Sequence, residues 1–311
     1  VKIDVAELAE RSNAVQLPQV VLVTDRGYLR PTLFTLWGIL RHLSVPGTVH
    51  FWGDQLTESD WDEVRSVAQT NPRVTLQCLS LTDGDLGGRI DHGTRLPAAA
   101  MGRLRIPEKI SGRVLYMDGD THVRGDIVPL FSIDMHGCMI GAVRDFVVAK
   151  WAVQGLNVSA KHSPRIEYLQ KLLGHRDLSK YFNSGVLLID TDAIRAEPEI
   201  YEAMRDVIYA ATNKINDQDY LNKVFAGRTQ LINPSFNASW SRTRKQRVNS
   251  RKLSGDAEEF ASLSDCIVHF HGTPKPWQAA RKDLWKPRGR SVWRYRRELK
   301  VFRRLFPSIA I

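Results

Sequence analysis

Apolar positions along the chain fall into two rhythms that take turns. "VVLVTDRG", Val20 to Gly27, is an unbroken apolar run closed by turn residues and predicts a buried strand. "RPTLFTLWGILRHL" follows at helical spacing, with Leu33, Leu36, Trp37, Leu40 and Leu43 on one face. "GTVHFWGD" predicts a second strand, and "TESDWDEVRSVAQ" opens a helix with Thr57 and an acidic first turn. "RVTLQCLSL" is a third strand, helix-like "AAAMGRLRIPEKI" comes next, and "GRVLYMDGD" is a fourth strand ending on two acids. "DIVPLF" and "MIGAVRDF" are expected to continue the sheet, and residues 149–180 to form loop and helix. "YFNSGVLLID", Tyr181 to Asp190, predicts another buried strand, followed by a helix over about 191–212 and a further one from "INDQDYLNKVF". "TQLINPSFNASW" and "CIVHFHGTPKPW" are expected as late strands ending in loops. The polar stretch Arg242 to Asp256 is the best candidate for a linker.

Strand alternating with helix implies an α/β fold: a Rossmann-like, mostly parallel central sheet flanked by helices. Ligands in such sheets bind where strands end at their carboxyl edge. Asp25, Asp118 and Asp120 all fall at that edge. No internal repeat or low-complexity segment is evident.

Composition narrows the class. The chain has 311 residues, 43% hydrophobic and 25% charged, as expected of a globular protein with a substantial core. No apolar run reaches the roughly 18 residues of a transmembrane helix. The first 17 residues, with Asp4, Glu7 and Glu10, do not resemble a signal peptide. Three widely spaced cysteines argue against a disulfide framework and for a reducing compartment. Asn157-Val-Ser and Asn237-Ala-Ser match a glycosylation sequon, a pattern short enough to arise by chance. The net charge is +10, and from Arg281 onward 11 lysines and arginines face only Asp283 and Glu298. A near-neutral body over 1–280 therefore carries a basic appendage over 281–311.

The chemistry concentrates in two places. In Asp118-Gly119-Asp120, glycine allows a tight turn that turns both carboxylates toward one cation, and hard oxygen donors suit Mg²⁺ or Mn²⁺ completed by phosphate oxygens. The plain alternative is a turn built of ordinary turn residues. A second alternative, a haloacid-dehalogenase-type phosphotransferase, is disfavoured because the motif follows three strands and no Asp-Asp pair lies downstream. "HFHGTPKPW", His269 to Trp277, offers His269 or His271 as a nitrogen ligand, which favours Mn²⁺. Gly272 and Lys275 suit a diphosphate. Taken alone this segment reads as a rigid proline turn. Paired with Asp-Gly-Asp, it supplies the further ligand and the cation that a metal–diphosphate site needs.

With these residues in place the chain resembles retaining glycosyltransferase family 8, particularly the bacterial lipopolysaccharide and lipooligosaccharide galactosyl- and glucosyltransferases. The resemblance runs in order through "VTDRGY", "GRLRIP", "VLYMDGD", "YFNSGVLLID", "NDQDYLN" and "HFHGTPKPW". It implies a GT-A fold, a UDP-sugar donor and Mn²⁺, with Mg²⁺ as the alternative ion. The metal ligands implied are Asp118, Asp120 and His269, with Gly272 and Lys275 on the diphosphate. Val23, Thr24, Asp25 and Tyr28 would hold uridine, Gly119 would lie against the donor, and Arg103 would lie over its sugar and diphosphate. The family often has a second acid where this chain has Arg26. Asp145, Asn183 and Ser184 would reach sugar hydroxyls. Asp217 would grip them too, and Gln218 would lie beneath the anomeric carbon.

The resemblance implies transfer of a hexose, galactose or glucose, to a glycan or lipid-linked oligosaccharide. Asp217, Gln218 and Arg103 form the catalytic group. A retaining double displacement needs a carboxylate nucleophile. Gln218 is a poor one, so front-side attack by the acceptor hydroxyl is the expected route, with Asp217 as the carboxylate for a covalent alternative. Loops around Arg95 to Ala98, Ile215 and His271 to Thr273 are candidate acceptor contacts by position. The basic stretch interleaves Trp285, Trp293, Tyr295, Phe302 and Phe306 with cations. That pattern suits the anionic inner face of a membrane, with the protein cytoplasmic and peripheral. Nucleic-acid binding and a solvated helix face are the weaker readings of the same charges. A non-enzyme alternative is a UDP-sugar-binding protein that has lost turnover.

Overall fold

The computed structural model describes residues 17–88, 98–278 and 284–309. A seven-stranded sheet forms its centre. In chain order its strands are β1 (Gln19–Asp25), β2 (Gly47–Asp54), β3 (Val74–Leu81), β4 (Arg113–Met117), β6 (Ile140–Arg144), β7 (Phe182–Asp190) and β8 (Thr229–Leu231). Between and after them, β5 (Thr121–Val123), β9 (Ala238–Ser239) and β10 (Ile267–His269) make a separate small sheet, ordered β5-β10-β9. The large sheet runs β3-β2-β1-β4-β7-β6-β8, parallel throughout except that β7 is antiparallel to both β4 and β6.

That one reversal builds the site. Because β7 runs backwards, its first residues arrive at the edge where β1, β4 and β6 end. Val186 pairs with Met117 and Phe182 with Arg144. Asp25, Asp118, Asn183 to Gly185 and Asp145 therefore meet at one rim.

Period-two alternation splits β1 between the two faces. Val20 and Leu22 pack toward Leu33, Leu36 and Leu40 of the helix Leu29–His42, while Val21 and Val23 face Met101, Leu104 and Ile106. The helix Glu58–Ala68 starts where expected, with Thr57 and Asp60 in a reciprocal capping box.

Several expected elements differ. "DIVPLF" adds no strand. Pro129 opens a one-turn helix, Val128–Phe131, and the strand lies earlier at β5. The helix expected over 191–212 is three, Thr191–Ala196, Pro198–Arg205 and Val207–Ala211, the break before the second set by a proline that cannot continue the preceding hydrogen bonds. "AAAMGRLR" is a 3₁₀ segment, Ala98–Arg105. The presumed linker is the helix Thr243–Leu253, whose buried residues are the polar Thr243, Gln246 and Ser250. Such a helix has no apolar stripe to reveal it.

The basic stretch forms the helix Pro287–Leu305, which buries Val292, Tyr295, Leu299 and Phe302. Tyr295 and Phe302 meet Phe34 at ring-centroid distances of 4.7 and 5.6 Å. Burying side chains of this size contributes about 1.5–3 kcal/mol each. Of the aromatic residues expected at a headgroup layer, Tyr295 and Phe302 thus belong to the core. Trp285 and Trp293 stay 93% and 49% exposed. No described helix is long and apolar enough to cross a membrane.

Candidate active site

Asp118 follows β4, and its N–H donates to the Gly185 carbonyl at 2.8 Å. Gly119 must be glycine, since a Cβ there would sit 2.1 Å from Thr32 Oγ1. The chain then enters β5, where Thr121 pairs with His269 of β10, and Phe270 N–H donates to the Asp120 carbonyl at 3.0 Å. This small antiparallel pair carries His269 across the chain to the acids. Its Nε2 lies 3.2 Å from Asp120 Oδ1 and 3.7 Å from Asp118 Oδ2.

On the other side of the ring, Nδ1 faces the side-chain carbonyls of Asn183 and Asn237, each at 3.1 Å. Two acceptors at Nδ1 require a proton there, which leaves Nε2 as the atom aimed at the acids. Gly185 completes the cradle: a Cβ would fall 2.2 Å from His269 Cε1 and 2.7 Å from Asp118 Oδ2. The three donor atoms lie within 4.8 Å of one another. Two carboxylates and an imidazole whose tautomer is fixed from behind fit a divalent ion.

Lys275 sits beside them, its Nζ 2.5 Å from Asp120 Oδ2 and 3.1 Å from the Phe270 carbonyl. Burial alone would raise the Asp120 pKa. Its contacts with His269 and Lys275 outweigh it and hold the carboxyl well below the usual carboxylate range.

Arg103 also lines the site, against Asp118. The 3₁₀ segment places it 5% exposed, with Nη2 2.9 Å from Asp118 Oδ1 and Nη1 3.1 Å from Asp217 Oδ2. Nη1 also donates to the Ser184 carbonyl and Nε to the Ala100 carbonyl, both at 2.9 Å. The Tyr116 ring lies 4.4 Å beneath the guanidinium, and its hydroxyl donates to Asp118 Oδ1 at 2.6 Å. Burial opposes the charge on Arg103, yet Asp118 and Asp217 together raise its pKa above the ordinary arginine value. Burial likewise lifts the Asp217 pKa, countered by Arg103.

Behind this pair, the helix Asn216–Val224 presents Gln218. Its Oε1 accepts from Asn183 Nδ2 at 2.9 Å and Ser184 N–H at 3.2 Å, and its Nε2 donates to the Tyr181 hydroxyl at 3.2 Å. Tyr181 donates in turn to Asp219 at 2.5 Å, and Asp219 is fully buried under a two-pronged contact from Arg165 at 2.5 and 2.7 Å. Both ends of Asn183 are taken, since its Oδ1 also accepts from Gly185 N–H at 3.1 Å and Asn237 Nδ2 at 2.9 Å. It braces His269 to Gln218. Asp145 Oδ1 caps the helix Phe146–Gln154 by accepting from Val147 and Val148 N–H, at 2.9 and 3.0 Å.

A cavity of about 490 Å³ is lined by Arg103, Asp118, Asp120, Asp145, Asn183, Ser184, Asp217, Gln218, His269, Gly272 and Lys275. Most residues singled out in the sequence therefore share one chamber. Val23, Thr24, Asp25 and Tyr28 lie outside its wall, at the end of β1. Asp25 accepts from Tyr28 N–H at 2.7 Å, and the Tyr28 ring meets Trp277 at 5.7 Å, which ties that end to the Lys275 loop. Arg26 leans away to Asp60 at 3.2 Å. Of the candidate acceptor contacts, Ile215, His271 and Gly272 line the cavity, and Arg95 to Pro97 lie outside the described residues. Sequence reasoning missed Trp151, Arg165, Tyr181 and Gly185 on the wall, and Asn237 behind His269.

A model of the family described as glycosyl transferase family 8 matches residues 19–281. Among curated relatives, General stress protein A of Bacillus subtilis is 27% identical over 63% of this chain and 64% of its own. Lipopolysaccharide 1,2-glucosyltransferase of Escherichia coli is 26% identical over 53% of this chain and 44% of its own. Glycosyltransferase GlyF of Streptococcus pneumoniae is 25% identical over 86% and 60%. The chain thus spans 44–64% of the lengths of these three relatives. Among solved structures, the galactosyltransferase LgtC bound to donor and acceptor sugar analogues is similar with a TM-score of 0.68 and 21% identity, over 90% of this chain and 94% of that one. The bifunctional glycosyltransferase WbbM gives a TM-score of 0.65 at 19% identity, over 94% of this chain and 52% of that one.

Proposed function

The chain belongs to glycosyl transferase family 8 and carries the GT-A fold, and from that premise we propose that it moves a hexose from a UDP-sugar to a glycan or glycolipid acceptor with retention of configuration. The observation that carries this reading is the convergence of Asp118, Asp120 and His269 with Lys275 in one chamber that Arg103, Asp217 and Gln218 also line. Cation-binding groups and hydroxyl-binding groups line one space of about 490 Å³.

In this reading Asp118, Asp120 and His269 hold Mn²⁺, which when bound offsets negative charge on the leaving diphosphate. Lys275, a short swing from Asp120, adds a second cation to that diphosphate, and the Gly272 backbone permits close approach. Val23, Thr24, Asp25 and Tyr28 hold the uridine at the end of β1, with Gly119 beneath the donor. Asp145, Asn183 and Ser184, with Asp217, bind sugar hydroxyls. Arg103 is the fixed charge between diphosphate and sugar, and its four contacts leave little reorganisation to be done during reaction. Gln218 is locked by Asn183, Ser184 and Tyr181 with its amide facing the chamber, and no carboxylate stands in its place. Front-side attack follows: the acceptor hydroxyl adds on the face UDP leaves and gives its proton to the leaving phosphate. Asp217, whose Oδ2 is held by Arg103 and Ser184, is the carboxylate for the covalent alternative.

The outer face of the helix Pro287–Leu305, with Trp293 among its cations and Trp285 just before its start, would rest on the anionic inner face of a membrane, making the protein cytoplasmic and peripheral.

The testing experiment is UDP release from a panel of UDP-sugars, with Mn²⁺ and with chelator. Metal-dependent release from one sugar identifies enzyme and donor together. Metal-dependent UDP binding without release from any sugar, acceptors included, supports the catalytically silent binding protein. Phosphate release with no need of UDP would indicate a phosphotransferase, and absence of UDP binding refutes the donor reading.

A further inference from the structure

Two arginines lie close to the chamber residue His271 with no carboxylate partner among the described residues. Arg242 lies 4.0 Å over the Phe146 ring and donates to the Ser239 carbonyl at 3.0 Å and the Ser239 hydroxyl at 2.6 Å. Arg288 lies 4.0 Å over the Trp240 ring. Both are anchored to the chamber through His271, a wall residue: its Nε2 is 2.6 Å from Ser239 Oγ, and its carbonyl accepts from Trp240 Nε1 at 2.8 Å. Phe146 lies in sequence between Asp145 and Val147, which line the chamber.

The placement runs against ordinary electrostatics. Arg242 is the N-cap of the helix Thr243–Leu253, and Arg288 is in the first turn of the helix Pro287–Leu305. Neither helix has an acidic residue in its first turn or a side-chain cap. Helix N-termini favour anions, so an arginine at each costs stability unless something negative arrives. The two charges also feel each other. Burial first and the Arg288 charge second lower the Arg242 pKa from its ordinary value, and Asp145 acts the other way without forming an ion pair with it. Held on aromatic rings, both guanidiniums are positioned but unneutralised, which suits a transient anion better than a permanent ion pair.

We propose that Arg242 and Arg288 form an acceptor subsite for an anionic substituent, a phosphate or carboxylate borne by the accepting saccharide next to its reactive hydroxyl. The inference rests on the donor reading above, because it takes the chamber beside His271 as the place where donor and acceptor meet. It adds the class of acceptor: an acidic or phosphorylated glycan in preference to a neutral one.

The test measures saccharide binding to UDP-saturated protein by calorimetry or ligand-observed NMR, with a hexose 6-phosphate, a hexuronic acid and the neutral hexose as probes. UDP binding itself is the independent check on the donor reading, and its absence sinks that reading first. With UDP bound, at least one anionic probe is expected to bind about tenfold or more tighter than the neutral hexose, as charge-assisted contacts to arginine require. That preference is expected to disappear in Arg242→Gln with Arg288→Gln. It is expected to weaken in Arg288→Gln alone, an exposed position where folding is not at stake. Equal binding of charged and neutral probes overturns the proposal, as does failure of any anionic probe to bind. A preference that survives the double substitution also overturns it. So does an arginine dependence seen only with phosphatidylglycerol vesicles, which would assign the pair to lipid.

Discussion

Gly185→Ala tests the metal cradle without touching a ligand. The added methyl would sit 2.2 Å from His269 Cε1, 2.7 Å from His269 Nδ1 and 2.7 Å from Asp118 Oδ2, where ordinary contacts are 3.4–4 Å. Relief demands a separation of more than 1 Å. The imidazole has nowhere to retreat, because Nδ1 is held by Asn183 and Asn237 and its backbone is paired to β5. The acid is held too, by Arg103 and Tyr116. The ligand set must therefore open. Disturbing the groups that orient a metal ligand typically costs about 10–100-fold in affinity, and a misplacement of about 1 Å about 100-fold in rate. Overpacking alone costs about 1–3 kcal/mol of stability, so a control must overpack elsewhere. Gly141→Ala serves: its methyl would meet Met135 Sδ at 3.0 Å and Leu188 Cβ at 3.2 Å, on β6 and remote from His269. Mn²⁺ titration followed by electron paramagnetic resonance, with thermal unfolding in parallel, should show both variants destabilised and only Gly185→Ala losing Mn²⁺ affinity. Wild-type affinity in Gly185→Ala, in protein that unfolds cooperatively, would refute the cradle.

Three further outcomes are expected. Arg103→Lys, which cannot span Asp118, Asp217 and Ser184 with one ammonium, should lower the rate of UDP release by about 100-fold or more; activity within threefold of wild type contradicts its placement. Acid should destabilise the protein in two stages. Burial pushes His122 down to about 4 from 6.5, despite its contact with Glu298, so the unfolded chain binds a proton between those values that the native state refuses. Glu298, despite its burial, is held down to about 2 from 4.5 by His122 and nearby arginines, so its contribution is present above 4.5 and lost as pH falls toward 2. Unfolding free energy should thus fall from pH 6.5 toward 4 by at most about 1.4 kcal/mol per pH unit for the histidine proton, and His122→Gln should flatten that stage in pH-dependent denaturation. Trp285→Ser with Trp293→Ser should cut binding to phosphatidylglycerol vesicles about tenfold with the melting midpoint unchanged, whereas Phe302→Ala should cost about 3–5 kcal/mol. Equal vesicle binding by the tryptophan variant removes the membrane reading.

How far the sequence could be read depends on how far apart the partners lie along it. Strands such as Val20 to Val23 and Val114 to Met117 announce themselves because each is a local run of apolar residues. The acids at the end of β4 were legible for the same reason, since strand, turn and carboxylates occur in one decapeptide. Tyr295 and Phe302 could have been assigned to the core as well. With Val292 and Leu299 they fall at intervals of three, four and three, a helix stripe that the density of arginines between them disguised. Gly185, Asn237, Tyr181 and Arg165 are different in kind. Each acts on a residue tens of positions away, and nothing local distinguishes Asn237 in a loop from any other turn asparagine. What brings them to the site is the reversal of β7 and the short pairing of β5 with β10, both properties of the assembled sheets. Asn183 shows the consequence most clearly. From sequence it is a polar residue beside a candidate sugar site, free to meet hydroxyls. Once β7 runs antiparallel between β4 and β6, its carbonyl is committed to His269, Asn237 and Gly185 and its amide to Gln218. The residue expected as a sugar contact is thus also a strut between His269 and Gln218, so disturbing either should be felt at the other through this one side chain.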